Sequence, residues 1–249
     1  MRRQALTVAL ALALLGGVLA ACFAEDTPPP PPPLVNDDFE ACTLGGTTLP
    51  RWNVYVDEGN AVTVVDTPAV GQRAVRFTDI GGAVWKPAIC SVVNGQADAF
   101  LRWDFDWRIN QTVDRWEKAF TFLLRGTGNK AVVTVTLGGP GGVAVRQGKE
   151  WVALDAPVRL NEWNHLTVYT DPISLGEKGA CTVIVTQGDD KAVLPNLAYP
   201  AAATWPEYPA AWWYSPLFSL GGSMVAGAGV EAYLDNVKVQ VVDSRPANP

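Results

Sequence analysis

The sequence predicts an all-β fold, a single β-sandwich, and three observations support this prediction. Apolar and polar residues alternate over short stretches, as in 102–108, where Trp103, Phe105 and Trp107 share one face and charged residues take the other. Clusters of Gly, Asn, Asp and Pro separate these stretches, and no segment has a sustained helical period. About twelve to fourteen short strands in roughly 210 residues suit a sandwich or jelly roll.

Twelve segments have the valine-, threonine- and aromatic-rich composition of short strands. The run GGPGG at 138–142 lacks the lysine and the following helix of a phosphate-binding loop, so it is predicted to be a hairpin turn. In chain order the predicted strands are WNVYVD, AVTVVD, RAVRFTD, AFLRWDFDWRI, AFTFLLR, AVVTVTLG, GVAVRQG, EWVAL, HLTVYTD, CTVIVTQG, PLFSLGG and AYLDNVKVQV.

The first 21 residues have the pattern of a signal for export. Arg2 and Arg3 precede an apolar run of signal-peptide length that ends in small residues. The sequence Leu19-Ala20-Ala21-Cys22 resembles the lipobox of bacterial lipoproteins, which implies cleavage before Cys22 and attachment of diacylglycerol to its sulfur. Two or three acyl chains hold a protein on a bilayer where one does not. The alternative is an ordinary signal peptide with an accidental cysteine.

Residues 22–33 are predicted to be a lipidated linker. Six consecutive prolines, Pro28 to Pro33, favour polyproline II and give a stiff spacer of roughly 19 Å. Residues 34–243 form the predicted sandwich domain, and residues 244–249 form a C-terminal tail. Phe23 stands at the position where enterobacterial lipoproteins of the inner membrane have aspartate. We therefore expect this protein to be anchored at the outer membrane or the cell surface.

The charge balance excludes some classes of partner. The chain has 19 basic and 25 acidic residues, a net charge of −6, and removing Arg2 and Arg3 brings it to about −8. A net-acidic chain without a basic run argues against nucleic acid and against electrostatic docking to anionic lipid. The acyl chains on Cys22 are therefore the expected contact with a bilayer.

Three cysteines remain for the domain: Cys42, Cys90 and Cys181. An exported compartment permits a disulfide, and an odd number leaves one thiol over. We predict Cys42–Cys90, because Cys181 begins an apolar alternating run and is expected to be buried. The alternative leaves all three buried and reduced.

Three segments of the domain resemble concanavalin A-like jelly rolls, which include laminin-G-like domains, lectins and glucanases. These segments are LVNDDFE near the start, NEWNHLTVYTD at 161–171, and EAYLDNVKVQV near the end. The resemblance implies that the first and last strands pair. It also implies a structural calcium ion held by Glu40 and Asp235, with Asp38 as a further ligand. Alternatively, Asp235 shapes a bend and Asp38 ends a linker.

Catalytic patterns are weak. The Glu-x-Asp-x-(x)-Glu run of laminarinase-type relatives is absent, and the nearest carboxylates, Asp104 and Asp106, share a face with Arg102 and Arg108. They are predicted to be ion-paired surface residues rather than a glycosidase pair.

The one histidine, His165, lacks the local partners of a Ser/His/Asp or Cys/His relay. A His/Tyr pair of a polysaccharide lyase stays open, because Tyr169 lies on the same predicted face as His165.

The run TWPEYPAAWWYSP at 204–216 holds five large rings between three prolines, and its role stays open. It is either a ligand surface for glycan or a lid over the sandwich, and a protein contact is a third possibility. The candidate ligand-binding residues are Trp205, Tyr208, Trp212, Trp213 and Tyr214. The tryptophans within strand patterns are assigned to the core instead: Trp52, Trp85, Trp103, Trp107, Trp151 and Trp163.

The sequence therefore predicts a membrane-anchored extracytoplasmic lipoprotein whose sandwich domain binds a ligand without catalysis, with glycan as the expected class. One alternative is a structural envelope protein that binds another protein. The other is a polysaccharide-cleaving enzyme.

Overall fold

The structure is a computed structural model, and its residues from Pro33 to Pro249 form one compact unit. Residues 1–30, which include the predicted signal and Cys22, lie outside the described residues. Among the residues that are described, no helix is long and apolar enough to cross a bilayer. The described ranges are 31–67, 72–81, 85–94, 98–126, 130–156, 158–199, 213–221 and 229–246.

Two antiparallel sheets of eight strands form a sandwich. Between strands, the described residues include two 3₁₀ segments, Trp116–Lys118 and Ile173–Lys178. The first sheet contains, in spatial order, β14 (Asp190–Ala198), β13 (Ala180–Gln187), β12 (Asn164–Thr170), β7 (Phe100–Ile109), β16 (Val230–Val242), β4 (Arg73–Asp79) and β3 (Ala61–Asp66), with β1 (Val35–Asp37) paired to β16.

The second sheet continues the same antiparallel pattern. Its spatial order is β11 (Glu150–Leu154), β10 (Gly142–Gln147), β9 (Lys130–Gly139), β8 (Phe120–Gly126), β15 (Trp213–Leu220), β5 (Ala88–Cys90) and β2 (Asn53–Tyr55), with β6 (Val93–Asn94) paired to β15. The GGPGG run joins β9 to β10 and places Gly139 opposite Gly142, so the predicted hairpin is confirmed.

The first and last strands are neighbours, as predicted. Strand β1 runs antiparallel to β16, with Val35 opposite Val239. Strand β16 also lies between β7 and β4, so the last described strand occupies the middle of the first sheet.

The core lies between the two sheets. The alternation predicted in 102–108 is confirmed, because Trp103, Phe105 and Trp107 are at most 2% exposed. Phe218 of the second sheet meets them from the other side, with its ring centroid 4.9 Å from that of Phe105. Branched and aromatic side chains that alternate with polar ones suit strands covered on one face.

The cysteines differ from the prediction, since Cys42, Cys90 and Cys181 are all free thiols. Cys42 is buried in the loop after β1, whereas the Cys90 Sγ on β5 lies 3.6 Å from the Tyr55 hydroxyl. The predicted Cys42–Cys90 disulfide is therefore wrong, because each thiol packs among different neighbours. Cys181 is buried, as expected, at 2% exposure.

The segment after β16 is held by a cation. Arg245 donates from Nε to the Asp171 carboxylate at 2.9 Å and from Nη1 to the Asn196 side chain at 2.7 Å. The salt bridge between Arg245 and Asp171 is mostly buried. It therefore holds the segment after β16 against the first sheet.

Candidate functional site

A groove of about 380 Å³ lies on the outer face of the second sheet. We call it the outer groove. Strands β8, β9, β10 and β15 form its floor with the side chains that alternate with the core residues. In this floor Thr121 stands opposite Ser219 on one neighbouring strand and opposite Thr136 on the other. Small hydroxyl side chains at these three positions leave the sheet surface recessed. The volume lies within the range of small-molecule sites.

Two half-buried tryptophans, Trp85 and Trp151, stand on either side of this floor. Trp85 precedes β5, and Trp151 belongs to β11. In the sheet order these strands lie on opposite sides of the floor strands. The groove therefore presents indole rings from both of its long sides.

Neighbouring side chains brace each tryptophan. The Trp85 ring packs edge-on against Tyr55, with centroids 5.4 Å apart. The Lys86 Nζ lies 5.3 Å from the Trp85 ring centroid. Across the groove, the Trp151 ring lies 6.4 Å from Trp116. These contacts restrict the rings before any ligand arrives, which lowers the entropy cost of binding.

The backbone at Trp85 has an unusual conformation. Its φ of 63° lies in the left-handed region, which is uncommon for a bulky residue. Backbone held in such sparsely populated regions clusters at ligand-binding and active sites. Phe39, a buried ring of the core, has a similar backbone conformation, so the φ of Trp85 describes how its ring is directed and does not by itself identify a site.

Charged side chains complete the groove: Arg125 on β8, Arg146 on β10, and Glu117. The Glu117 carboxylate accepts a hydrogen bond from Trp151 Nε1 at 3.2 Å. Hydrogen bonds from its own backbone and from Trp151 lower the pKa of Glu117, so the carboxylate is ionised and anchors the indole. The Arg146 guanidinium lies 5.7 Å from the Trp151 ring centroid.

This combination of groups is suited to holding a sugar. Aromatic faces pack against the CH surface of a pyranose ring, and hydroxyl and charged groups bind its polar substituents. Among the described lining residues, Glu117 is the single carboxylate, whereas the usual glycosidases need two.

Comparison with known proteins identifies the architecture. No family model and no curated protein sequence matches the chain, whereas solved structures match most of its length. A carbohydrate esterase from the Shiga toxin-encoding bacteriophage phi24B is 13% identical, with a TM-score of 0.56 over 84% of this chain and 98% of that one. An alginate lyase from Aplysia kurodai is 10% identical, with a TM-score of 0.56 over 85% and 100% of the two chains. The winged bean acidic lectin, solved with methyl-α-D-galactose, is 10% identical, with a TM-score of 0.52 over 84% and 98%.

The fold is a concanavalin A-like jelly roll. At 10–13% identity these likenesses establish the fold alone. The functional site of this protein is therefore identified from its own residues.

Of the predicted aromatic ligand site at 204–216, the structure describes residues 213–216. Trp213 is the first residue of β15, and Tyr214 beside it is completely buried, with its ring 5.6 Å from Trp103. The prediction of Tyr214 as a ligand contact is wrong, because the alternation along β15 turns its side chain into the core. The other three predicted residues lie outside the described part of the chain: Trp205, Tyr208 and Trp212.

The tryptophans assigned to the core divide into two groups. The assignment is confirmed for three that are at most 5% exposed: Trp52, Trp103 and Trp107. It is wrong for three that are half-buried: Trp85, Trp151 and Trp163. Trp151 lies on an edge strand of the jelly roll, and Trp85 and Trp163 lie in loops before strands, so neither sheet covers them fully. Trp116, which braces Trp151, carried no pattern that singled it out in the sequence.

His165 lies on the outer face of the first sheet, away from the outer groove. Its Nδ1 is 2.7 Å from the Asp106 carboxylate and its Nε2 is 3.3 Å from Asp104. Hydrogen bonds with these two carboxylates raise the pKa of His165 to about 9, although burial opposes the rise. A cationic imidazole at neutral pH cannot serve as a general base. A His165/Tyr169 lyase pair therefore stays a prediction, in which His165 would serve as an acid or a positive charge rather than as the base.

The predicted ion pair of Arg102 and Asp104 is confirmed, with their Nε and Oδ2 atoms 2.7 Å apart, but Asp104 is buried rather than a surface residue. Burial raises the pKa of Asp104, but hydrogen bonds from His165, Arg102 and Thr167 outweigh this effect and lower it overall. Arg108 does not form the predicted ion pair with a neighbouring carboxylate. Its guanidinium lies over the Tyr233 ring instead, 5.1 Å from the centroid.

We expect the His165 pairing to make stability depend on pH. The folded-state pKa of about 9 exceeds the unfolded value near 6.5, so the stabilisation is complete below pH 6.5 and is lost as the pH rises through 9. The side chain is 37% exposed, so solvent screening limits the effect to the order of 1 kcal/mol. Denaturant unfolding of the wild type and of His165→Gln between pH 5.5 and 10 measures it. Parallel pH profiles for the two proteins would contradict the prediction.

Asp235 lies in a bulge of β16, next to Asn236, which has a φ of 51°. The bulge turns the buried carboxylate toward Asp106, the residue opposite it on β7. Burial raises the pKa of Asp235 to about 7, and the nearby carboxylates of Asp106, Glu40 and Asp38 add to the rise, although the Asn236 N–H opposes it.

The predicted calcium ligands Asp38, Glu40 and Asp235 are near one another but do not form a ready site. Glu40 Oε1 already accepts a hydrogen bond from the Arg73 backbone N–H at 2.6 Å. Within the described residues no three His, Cys, Asp or Glu side chains are placed to hold a metal ion together. Calcium binding at these three residues stays a prediction with a test of its own.

Proposed function

We propose that this protein binds glycans through the outer groove, without cleaving them. The observation that carries the proposal is the pair of braced tryptophans, Trp85 and Trp151, on either side of a floor of hydroxyl groups. Such an arrangement offers two flat apolar faces and a floor in which hydroxyl groups stand among the apolar side chains of Leu123, Ala131 and Leu217, and this suits the amphipathic faces of a sugar ring. The fold is similar to those of a carbohydrate esterase, an alginate lyase and a lectin solved with a galactoside, and this similarity supports glycans as the class of ligand.

The direct test uses the purified full-length protein and its Trp85→Ala and Trp151→Ala variants. A panel of soluble polysaccharides is screened by affinity electrophoresis, and a polysaccharide that binds is then titrated by calorimetry. We expect each substitution to weaken binding at least about tenfold, which corresponds to 1.4 kcal/mol. Trp163→Ala is the comparison variant, because Trp163 is also half-buried but lines a separate groove beside the first sheet; a larger loss in this variant would place glycan binding there.

Two outcomes would contradict the proposal. Unchanged affinity in both groove variants would move glycan binding away from the outer groove. Release of reducing ends or unsaturated products from the bound polysaccharide would make the protein a polysaccharide-cleaving enzyme. If no polysaccharide binds, a protein partner for the same aromatic surface becomes the leading alternative.

We also propose that the domain is displayed outside the cytoplasm on acyl chains attached to Cys22. The basis is the sequence Leu19-Ala20-Ala21-Cys22, followed by the polyproline spacer. In the native host, the wild type should incorporate labelled palmitate and sediment with membranes, whereas Cys22→Ala should lose both properties. Equal labelling of the two proteins would exclude lipidation at Cys22.

A further inference from the structure

We infer that the protein has a second sugar site, separate from the outer groove, which holds one neutral sugar unit by two neighbouring hydroxyl groups. The site is a cavity of about 250 Å³ beside the hairpin of β13 and β14, at the edge of the first sheet. We call it the edge cavity. Among the described residues it shares no lining side chain with the outer groove, so it does not depend on the function proposed for that groove.

One face of the β13–β14 hairpin forms the floor of the edge cavity. Val185 and Gln187 are two residues apart on β13, so their side chains lie on the same side of the sheet. Ala192 stands opposite Val185, and Asp190 stands opposite Gln187. All four residues line the cavity, whereas Thr186 lines a groove on the other face of the sheet. The Gln187 side chain is therefore directed into the edge cavity.

The wall of the edge cavity comes from the segment that follows β11 of the second sheet. Ala156 is buried there and lies close to the start of β10, where a Cβ added at Gly142 would be 2.6 Å from the Ala156 carbonyl oxygen. Only a glycine leaves room for this approach. The Ala156 N–H also donates to the Leu154 carbonyl at 2.8 Å. These contacts fix the wall before a ligand binds, which lowers the entropy cost of binding.

Gln187 supplies the polar chemistry of the edge cavity. It is 5% exposed, and neither its Oε1 nor its Nε2 has a hydrogen-bond partner among the residues that the structure describes. A buried polar group without a hydrogen bond costs free energy, so native proteins supply a partner for nearly all such groups. The cavity is several times larger than one water molecule requires, and it therefore has room for a larger partner.

The Gln187 amide selects the chemistry of that partner. Its Oε1 is an acceptor and its Nε2 is a donor, and the two atoms stand side by side. Two neighbouring hydroxyl groups of a sugar ring match them, because one hydroxyl donates to Oε1 while the other accepts from Nε2. A carboxylate or a sulfate has no hydrogen to donate to Oε1. The C–H groups of the sugar ring would meet the apolar side chains of the cavity, which belong to Val185, Ala156 and Ala192.

The rim of the edge cavity favours a neutral ligand. Its exposed side chains are two carboxylates and one ammonium, from Asp155, Asp190 and Lys191. The Asp190 Oδ2 is already paired with Arg159 Nη2 at 3.0 Å. The Asp155 carboxylate can accept a hydrogen bond from a third hydroxyl group. Because the cavity is smaller than the usual site for a drug-sized ligand, it takes one sugar unit, either a free monosaccharide or the end of a chain.

The test uses the full-length protein and the methyl glycosides of glucose, galactose and mannose. Saturation-transfer NMR detects binding, and calorimetric titration measures the affinity. We expect at least one glycoside to bind, and an analogue that lacks one of the two hydroxyl groups to bind at least about tenfold more weakly. An oligosaccharide that ends in the same sugar identifies the source of the ligand. Tighter binding of the oligosaccharide indicates a chain end, equal affinity indicates a monosaccharide, and both results support the edge cavity.

Two substitutions locate the sugar. Gln187→Leu removes both unpartnered polar atoms at a similar volume, so it should weaken binding at least about tenfold and leave the melting temperature without sugar equal or higher. Ala192→Leu fills the cavity from β14 and should also weaken binding while Gln187 is intact. Gln240→Leu is the matched control and should keep the affinity, because Gln240 is half-buried on β16 and does not line the cavity.

Three results would overturn the inference. The first is that none of the three glycosides binds, in which case water alone occupies the edge cavity. The second is that a glycoside binds equally well to Gln187→Leu and Ala192→Leu but is lost in Trp85→Ala, which would assign it to the outer groove and support the proposed function alone. The third is a lower melting temperature of Gln187→Leu with unchanged binding to Ala192→Leu, which would make Gln187 a structural residue.

Discussion

Replacement of Phe218 by alanine is expected to lower the free energy of unfolding by about 3–5 kcal/mol. The ring is completely buried in β15 and sits where the two sheets meet. Its centroid lies 4.9 Å from Phe105, 5.3 Å from Phe122 and 5.7 Å from Trp52. Alanine would remove this entire set of aromatic contacts and leave a cavity that strands on both sides cannot close.

Denaturant unfolding followed by tryptophan fluorescence measures the loss. Phe218→Leu keeps much of the volume and should cost far less than the alanine variant. Val241→Ala is a surface control, because Val241 is 38% exposed, and it should change stability by about 0.5 kcal/mol or less. An alanine variant of Phe218 that loses less than about 1 kcal/mol would contradict the central position of this ring.

Replacement of Asp235 by asparagine is expected to stabilise the protein at pH 8, by up to roughly 4 kcal/mol. The pKa of Asp235 is about 7 in the folded state, above the ordinary value of 3.8. The contribution of Asp235 therefore becomes increasingly destabilising as the pH rises from 4 through 7, because folding then buries a charge. Asparagine removes the charge and keeps an oxygen that can accept the Asn236 N–H bond.

The measurement is denaturant unfolding at pH 4.5 and pH 8 in the presence of a chelator. The gain should be present at pH 8 and nearly absent at pH 4.5. Asp171→Asn is the matched control and should be destabilising, because Asp171 forms a mostly buried salt bridge with Arg245. A destabilised Asp235→Asn protein at pH 8 would contradict the prediction.

The wild type and the Asp235→Asn variant also test whether the protein binds calcium. If an ion draws Asp38, Glu40 and Asp235 together, added calcium should raise the melting temperature of the wild type and not that of Asp235→Asn. Identical melting curves with calcium and with chelator would exclude the predicted site.

The sequence predicted the features that depend on local alternation. Residues 102–108 reveal their core face because a strand covered on one side repeats with a period of two. The pairing of β1 with β16 was expected from a resemblance at both ends of the domain. The hairpin at 138–142 followed from its glycines, which few other residues could replace in a tight turn.

The outer groove could not be predicted in the same way. Its key residues, Trp85, Arg125, Arg146 and Trp151, belong to four different segments, and periodicity does not say which sheet faces a ligand. The sequence around Trp151 has the pattern of a core strand. In the structure this strand lies at the edge of its sheet and is incompletely covered, so Trp151 is half-buried. One signal was available: the short β10–β11 turn at Gly148 places Arg146 directly opposite Trp151.

The position of β16 has a consequence for how the protein is made. Residues 230–242 are the last of the described strands in chain order, yet they lie between β7 and β4 in the first sheet. Until they arrive, these two strands have no common neighbour, and the sheet cannot close around its core. Folding must wait for contacts that span most of the chain. Because β16 joins β7 to β4, a change that weakens this one strand affects the closure of the whole first sheet.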